Sequence, residues 1–215
     1  MSAVNKQFET QVIYNYGGSQ NQIEMLNGHL LHQQNFTGQG KVIAVLDSGF
    51  LGVNTALPFQ NLITNNKILG GYNFPDQNTN YFFRHNHGSN VLSTMGGFAE
   101  GQLVGTAPNA KYYLFITEDA ATESLLEEYN WLMAAEMADS IGVDVVNSSL
   151  GYTTFDDAST NHTYADMDGK TTLVTQAANM LFRKGVLVVA SAGNQGADAW
   201  HYISAPADGD SVLAV

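Results

Sequence analysis

An aspartate, a histidine and an asparagine occupy positions where side chains that do chemistry are often placed. Asp47 ends the apolar run of residues 42–46, which is typical of a strand buried in a parallel sheet. His87 begins an apolar, helix-compatible run, and Asn194 follows a second buried strand over residues 187–190. A carboxylate can orient a histidine that acts as a general base, and an asparagine amide can donate to a developing oxyanion. The three residues therefore predict one site with a base, its orienting acid and an oxyanion donor.

Each of these residues also has a structural interpretation. Asp47 precedes Ser48 and Gly49, and an aspartate before such residues commonly caps a turn. His87 can instead be a core histidine, and the Gly-Asn-x-Gly sequence around Asn194 is ordinary turn chemistry. The position of all three at a strand end or a helix start, beside glycine, favours the catalytic interpretation.

The elements that must position these residues alternate along the chain. Strands are predicted over residues 41–47, 67–74, 111–116, 143–149, 187–190 and 211–215, and helices over residues 22–32, 87–98, 122–140 and 171–184. Alternation of this kind gives βαβ units. The predicted fold class is therefore α/β, a doubly wound, mostly parallel sheet flanked by helices, with the site at the carboxyl ends of the strands.

The predicted helix over residues 122–140 carries the clearest helical pattern. Thr122 or Ser124 can cap its start, and acidic residues crowd its first turns. An apolar stripe along it is predicted to face the core. The members of this stripe are Leu125, Leu126, Tyr129, Leu132, Met133 and Met137.

Length and composition restrict the class of the protein. With 215 residues, 44% of them hydrophobic, the chain suits one α/β domain, which is expected to begin with an extended arm over residues 1–20. A net charge of -12 argues against nucleic acid and anionic membranes as partners. Because there is no cysteine, disulfides and thiolate metal sites are excluded. No apolar run approaches the roughly 18 residues of a membrane span.

A polar insertion between Gly151 and Gly169 contains several acidic residues. Asp166 and Asp168 alternate as in a calcium-binding loop, but they match only a fragment of an EF-hand. A solvated loop whose acids cap turns is the favoured interpretation. Structural calcium is therefore left open, and no metal ligand is assigned.

Five stretches of the chain resemble the motifs of one protein family. Residues 47–49 (DSG) are similar to its aspartate motif, residues 87–91 (HGSNV) to its H-G-T-H-V motif and residues 192–194 (AGN) to its oxyanion-hole motif. Residues 147–151 (NSSLG) are similar to its N-x-S-L-G segment, and residues 104–110 (VGTAPNA) to its G-x-A-P-x-A turn. This family is the subtilisin-like serine proteases, or subtilases, and the resemblance implies a subtilisin-like fold.

The resemblance implies a role for each matching catalytic residue. His87 would take the proton of a serine hydroxyl as it attacks a peptide carbonyl and would return it to the leaving amine. Asp47 would hold the ring of His87 and offset its positive charge. Asn194 would donate to the tetrahedral oxyanion. The implied activity is that of a serine endopeptidase.

The resemblance also implies a substrate cleft and a location. The residues expected to bind the polypeptide substrate are Ser149, Leu150, Gly151, Ala192 and Gly193. Small residues at positions 190–193 favour a roomy P1 pocket for a large apolar side chain. No cofactor is required, and the protein is expected to be secreted, or held at the cell surface, after removal of a signal and a propeptide.

Two departures from the family pattern bear on function. Asn90 replaces the second histidine of H-G-T-H-V, and the family's nucleophile motif, G-T-S-x-A, does not occur in the 215 residues. The peptidase domain is therefore expected to be incomplete at its C-terminus and the chain alone to be inactive. A C-terminal segment of the same protease is expected to bring the serine and to cover the sheet, unless self-association covers it. The alternative is a non-catalytic, peptide-binding pseudoprotease module.

Overall fold

A parallel sheet crosses the part of the protein that the computed structural model describes, residues 13–215. The strands are β1 (Val42–Asp47), β2 (Ile68–Asn73), β3 (Phe98–Ala99), β4 (Leu103–Val104), β5 (Lys111–Ile116), β6 (Val145–Ser148), β7 (Leu187–Ala190) and β8 (Val212–Ala214). Six of them form the sheet, in the order β2-β5-β1-β6-β7-β8, while β3 and β4 form a separate antiparallel pair. Every pairing in the six-stranded sheet is parallel.

Helices connect the strands and lie on both sides of the sheet. They are α1 (Gln20–Met25), α2 (Gly28–Gln33), α3 (Gln60–Thr64), α4 (His87–Gly96), α5 (Leu125–Ile141) and α6 (Leu173–Arg183), with short 3-10 turns at Leu57–Phe59, Ala158–Thr160, Tyr164–Asp166 and Gln195–Ala197. None of the helices within residues 13–215 combines the length and the apolar character that crossing a bilayer requires.

The central strand β1 is buried on both faces. Ala44 and Leu46 belong to a core that includes Trp131 of α5, while Ile43 and Val45 belong to a second core shared with α4. Alternate side chains of a strand point to opposite faces, so a strand covered by helices on both sides must be apolar throughout. The predicted doubly wound, mostly parallel sheet flanked by helices is confirmed.

The carboxyl ends of the central strands lie side by side. Asp47 of β1 lies opposite Ile116 of β5, and Leu46 lies opposite Ser148 of β6. Ser148 in turn lies opposite Ala190 of β7. The residues that follow these strands therefore emerge along one edge of the sheet, where sites of open α/β sheets form.

The buried face of α5 differs from the predicted stripe. Trp131 and Ala134 are fully buried, whereas Leu126, Tyr129 and Met133 are 61%, 51% and 43% exposed. The prediction is wrong for these three residues, while the other three members of the stripe do pack against the core. Small alanines let the helix approach the sheet closely, which leaves larger apolar residues on its outer side.

The predicted helix over residues 22–32 is two short helices. Asn27 lies between them with φ 56°, a left-handed conformation that interrupts an α-helix. Residues 1–12 of the predicted N-terminal arm lie outside the described residues. Residues 13–19 form neither helix nor strand, yet Tyr16 is buried beside Ile23.

The insertion between Gly151 and Gly169 is less solvated than predicted. Tyr152 and Phe155 are buried in the core beneath α5 and α6. His162 forms a hydrogen bond with Glu128, a fully buried carboxylate of α5. The insertion is therefore anchored to the domain by apolar packing and by polar contacts to buried glutamates, since the hydroxyl of Tyr152 also donates to Glu118.

The carboxylates considered for calcium cap local turns. Asp166 accepts a hydrogen bond from the backbone N–H of Thr163 at 2.7 Å, and Asp168 accepts one from Thr171 at 2.8 Å. Within residues 13–215, no group of three or more histidine, aspartate or glutamate side chains is placed to hold a metal ion.

One face of β6, β7 and β8 is open to solvent. Val188 is fully buried on the α6 side, but Leu187 is 40% exposed and Leu213 is 54% exposed on the opposite side. Val215 is 76% exposed. We call the outward side chains of Leu187, Val189 and Leu213 the open face of the sheet.

Candidate active site

Asp47 and His87 are in direct contact. Nδ1 of His87 donates a hydrogen bond to Oδ1 of Asp47 at 2.8 Å. The carboxylate is fully buried, whereas 47% of the His87 side chain is exposed. Since the carboxylate fixes the proton on Nδ1, Nε2 is the ring nitrogen that can accept another proton. The pair has the geometry of an oriented general base.

The segment before His87 is paired with the segment after Asp47. The backbone N–H of Phe50 donates to the carbonyl of Phe83 at 3.1 Å, and the backbone N–H of Leu51 donates to the carbonyl of His85 at 3.2 Å. This short pairing fixes the approach of the two segments, so that α4 begins directly over the end of β1.

Gly88 permits the close contact between α4 and β1. A Cβ at this position would lie 2.6 Å from the carbonyl oxygen of Gly49, 2.7 Å from Cε1 of Phe50 and 2.8 Å from Cβ of Asp47. Separations this short are not compatible with a side chain, so only glycine allows His87 to stand against the end of β1.

Burial and hydrogen bonding act in opposite directions on Asp47. Burial raises its pKa, while the hydrogen bonds from His87 and from the Ser48 backbone N–H, at 2.7 Å, lower it, and the net pKa lies above the ordinary value. Oδ2 is buried and has no hydrogen-bond partner within residues 13–215.

A cavity of about 310 Å³, which we call the cleft, is lined by both His87 and Asn194. Four of the five predicted substrate-binding residues also line it, namely Ser149, Leu150, Gly151 and Gly193. The structure thus brings the residues predicted from separate motifs to one edge of the sheet. Asp47 lies behind His87, buried beneath it.

A second cavity, of about 360 Å³, is also lined by His87 and Asn194. Its other lining residues include Val189 of the open face and Val215. Ala192, the fifth predicted substrate-binding residue, lines neither cavity, and its backbone N–H donates to the carbonyl of Val215 at 2.8 Å. The ring of His87 therefore lies where the cleft and the open face meet.

Asn194 stands on an exposed turn. Gly193 before it has φ 103°, a conformation that favours glycine, and the backbone N–H of Asn194 donates to Oε1 of Gln195 at 2.8 Å. Its side-chain amide makes no hydrogen bond within residues 13–215. The amide is available as a donor to a bound molecule.

Three residues at the cleft were not found from the sequence. Glu118 and Ser204 are buried and line the cleft, and Arg84 pairs with Asp76 and with Asp119, which also lines it. Glu118 comes soon after the end of β5, so the rule that sites form at strand ends could have identified it. No local pattern marks Ser204 or Arg84.

A model described as the subtilase family matches residues 38–215. The chain belongs to the subtilase family. The matched region contains Asp47, His87 and Asn194, the three residues that the motifs and the geometry single out. It also contains every residue that lines the cleft of this subtilase.

Curated subtilases align with most of the chain. Subtilisin E from Bacillus subtilis (strain 168) is 29% identical over 197 residues, which cover 90% of this chain and 45% of that protein. The Minor extracellular protease Epr of the same strain is 31% identical over 184 residues, which cover 83% of this chain and 23% of that protein. The chain therefore spans less than half the length of these relatives.

Two solved structures have the same fold as this chain. MycP1 from Mycobacterium smegmatis superposes with a TM-score of 0.64 at 19% identity, covering 97% of this chain and 61% of that one. Fervidolysin from Fervidobacterium pennivorans superposes with a TM-score of 0.61 at 21% identity, covering 93% of this chain and 28% of that one. At such identities the likeness concerns the fold.

Proposed function

We propose that this subtilase chain supplies the base, the orienting acid and the oxyanion donor of a serine endopeptidase. The contact between the buried carboxylate of Asp47 and the exposed ring of His87 carries the proposal. His87 takes the proton of an attacking serine hydroxyl through Nε2 and returns it to the leaving amine. Asp47 holds the ring and stabilises its protonated form.

Asn194 is proposed to donate its side-chain amide to the oxyanion of the tetrahedral intermediate. Its amide has no partner within residues 13–215 and borders both cavities beside His87. Removal of one such donor slows subtilisin itself by about 10²–10³. A decrease in kcat of similar size is expected when Asn194→Ala is introduced into the complete protease.

Residues 149–151 are proposed to bind the backbone of the substrate. Leu150 and Gly151 line the cleft, and their backbone groups form no hydrogen bond with any residue between 13 and 215. An extended polypeptide can therefore add to this segment as a further strand, which gives affinity that depends little on side chains.

The nucleophilic serine is proposed to lie on a segment that seats against the open face. The cavity between Val189, Val215, His87 and Asn194 leaves room for a residue at the ring of His87. Covering the exposed Leu187 and Leu213 would remove apolar surface from water. The segment is either a C-terminal continuation of this protease or a separate polypeptide cut from it.

We also propose that the protein acts outside the cell. One relative, 31% identical over 83% of this chain, is named an extracellular protease. The surplus of acidic residues, 20 against 8 basic ones, suits a soluble protein. Detection of the protein in the medium of the source organism, and not in washed cells, is the expected result.

Labelling with a serine-reactive fluorophosphonate tests the proposal. The chain of residues 1–215 is expected to remain unlabelled, and the product of any reading frame that continues past Val215 with a Gly-Thr-Ser motif is expected to be labelled once. His87→Gln and Asp47→Asn should abolish that labelling, while Glu136→Gln, on the exposed side of α5, should not. A natural stop codon after Val215, together with peptide binding, would instead establish a non-catalytic peptide-binding module.

A further inference from the structure

The wall of the cleft is acidic. Glu118, Asp119, Glu123 and Glu127 all line it, and no lysine or arginine among residues 13–215 does. Asp119 pairs with Arg84 at 3.1 Å, and Glu127 accepts hydrogen bonds from the backbone N–H groups of Asp119 and Ser124, before α5. Glu118 and Glu123 have no cationic partner within residues 13–215.

Glu118 and Glu127 are the buried members of this wall. Glu118 is 7% exposed, and its Oε1 accepts hydrogen bonds from the hydroxyls of Thr117 and Tyr152, each at 2.6 Å. Burial raises the pKa of Glu118 to about 8, and the nearby Glu127 and Glu123 add to this rise. A buried carboxyl without a cation therefore borders the cleft, and a positive charge placed there would favour its ionised form.

Ser204 is a second, independent sign of a ligand. The residue is fully buried and lines the cleft, and its Oγ has no hydrogen-bond partner within residues 13–215. A Cβ on Gly151 would lie 2.1 Å from this Oγ, and one on Gly193 would lie 3.0 Å from it. The hydroxyl therefore fills the space beside these two glycines, and it can accept a hydrogen bond from a group that enters the cleft.

Ser204 and Glu118 are connected through the backbone. Ala205, which follows Ser204, exchanges two backbone hydrogen bonds with Tyr152, of 2.9 and 3.2 Å. The hydroxyl of Tyr152 donates to Glu118. One rigid unit thus holds both groups at the cleft.

We propose that the cleft binds the positively charged side chain of a lysine or arginine of the polypeptide substrate, with Glu118 as its counter-ion and Ser204 as a further acceptor. This inference rests on the proposed function and names its substrate class. An ammonium or guanidinium group offers several N–H donors and no acceptor, which matches a carboxylate and an unpaired hydroxyl. An apolar side chain would leave Glu118 without a counter-ion and the hydroxyl of Ser204 without a hydrogen-bond partner, at a cost in affinity. This proposal differs from the prediction of a large apolar side chain that the small residues at positions 190–193 favour.

Binding of a cation is expected to depend on pH because Glu118 must lose its proton. The titratable groups that face Glu118 are Tyr152, Glu127 and Glu123, with Asp119 adjacent. Below the pKa of Glu118 the affinity for a cation should fall as the pH falls, and binding should release a proton to solution. A norleucine side chain, which has similar length and no charge, should show neither effect.

The test is calorimetric titration of the 215-residue chain with acetylated tetrapeptide amides. One residue of the tetrapeptide is varied, and the varied residue is placed at each position of the peptide in turn. The residues compared are lysine, arginine, norleucine, glutamine and glutamate. At a pH of about 9, one position should show lysine and arginine binding about tenfold to hundredfold more tightly than norleucine, the effect of one hydrogen bond to a charged group. Titration at a pH below the pKa of Glu118, in two buffers of different ionisation enthalpy, should detect the released proton.

Variants separate the contributions of the two residues. Glu118→Gln keeps the size of the side chain. In this variant the lysine peptide should bind only as tightly as the norleucine peptide, and its binding should release no proton. Ser204→Ala should weaken lysine binding by about threefold to tenfold. Glu136→Gln, an equivalent change on the exposed side of α5, should bind as the unchanged chain does. Unaltered norleucine binding in each variant shows that the cleft is still folded.

The outcomes distinguish this inference from the proposed function. Norleucine binding as tightly as lysine at every position, or a lysine preference that survives in Glu118→Gln, overturns the inference and leaves the proposed function standing. If no peptide binds at any position, both are overturned.

Discussion

Oδ1 of Asp47 and Nδ1 of His87 lie 2.8 Å apart although 40 residues separate them along the chain. Asp47 is the last residue of β1 and His87 is the first of α4, so the contact joins the carboxyl end of a central strand to the start of a helix. The acid is buried and the ring is half-exposed. This gradient of burial directs the free nitrogen of His87 toward the cleft, where a substrate can reach it.

Replacement of Asp47 by asparagine should change the tautomer of His87. An asparagine can turn its NH₂ group toward Nδ1, which moves the ring proton to Nε2 and removes the acceptor needed for catalysis. Long-range ¹H–¹⁵N spectra of the 215-residue chain measure this directly. In a complete protease the same change should lower kcat by about 10⁴. Asp139→Asn, on the exposed side of α5, is the control, and an unchanged tautomer in Asp47→Asn would contradict the proposed role.

Gly88→Ala should separate α4 from β1. The added Cβ would lie 2.6–2.8 Å from three atoms of Gly49, Phe50 and Asp47, so the start of the helix must move. We expect a loss of about 1–3 kcal/mol in the free energy of unfolding, together with loss of the low-field Nδ1 proton signal of His87. Gly196→Ala, where a Cβ would meet nothing within 4 Å, should leave both unchanged. Equal stability of the two variants would show that the contact is not tight.

Arg84→Ala should loosen the acidic wall of the cleft. The guanidinium of Arg84 binds both oxygens of Asp76, at 2.6 and 3.0 Å, and Asp119 at 3.1 Å, with only 18% of the side chain exposed. Loss of these charged hydrogen bonds should cost about 1.5–3 kcal/mol of stability in urea denaturation. Arg84→Lys should not restore the stability, because an ammonium group lacks the planar pair of N–H donors that binds both oxygens of a carboxylate.

Lys41→Ala is the matched control for Arg84. Lys41 also forms an ion pair, with Asp144 at 2.6 Å, but its side chain is 62% exposed. A solvent-exposed pair contributes about 0–1 kcal/mol, so this variant should be nearly as stable as the unchanged chain. If Lys41→Ala lowered the free energy of unfolding as much as Arg84→Ala does, burial and bidentate geometry would not explain the contribution of Arg84.

Stability should fall as the pH rises from weakly acidic to weakly alkaline values. Burial raises the pKa of Glu118 from 4.5 to about 8, so between these values the folded protein keeps a proton that the unfolded chain loses. The hydrogen bond with Glu128 raises the pKa of His162, so its contribution is complete below the unfolded value of 6.5 and is lost as the pH rises through the folded value. Each group contributes at most about 1.4 kcal/mol per pH unit.

Urea denaturation over a series of pH values measures this slope. Glu118→Gln should flatten the part of the slope that lies between the two pKa values of Glu118, while Glu136→Gln should leave the slope unchanged. His162→Gln should flatten only the part above about pH 6.5. A profile that rises with pH in this range would contradict the burial of Glu118.

The open face should make the isolated 215-residue chain associate with itself. Leu187 and Leu213 are 40% and 54% exposed on adjacent strands, and contiguous apolar surface of this kind promotes contact between copies. Leu213→Lys should reduce the mass measured by light scattering. Leu57→Lys, at a site that is 58% exposed and lies elsewhere, should not. If the 215-residue chain is a monomer at all concentrations, the open face does not promote self-association.

The sequence alone predicted the six strands of the parallel sheet and the contact between Asp47 and His87. Apolar runs that end on Asp47 and after residue 190 are unambiguous, because a strand buried on both faces must be apolar throughout. Glycines beside His87 and Asn194 marked the places where the backbone makes close approaches or turns. Local patterns of this kind depend on neighbouring residues only, so they can be interpreted without a fold.

Only the tertiary structure decided which groups are buried and which face each other. Leu126 and Tyr129 looked like core residues, but α5 turns its alanines to the sheet, and helical periodicity cannot choose between two apolar faces. Glu118 and Ser204 are 86 residues apart in sequence and meet at the cleft because β5 and the strand-like pairing of Tyr152 with Ala205 end at the same edge of the sheet. Contacts between distant segments depend on packing of the whole domain, which no local pattern records.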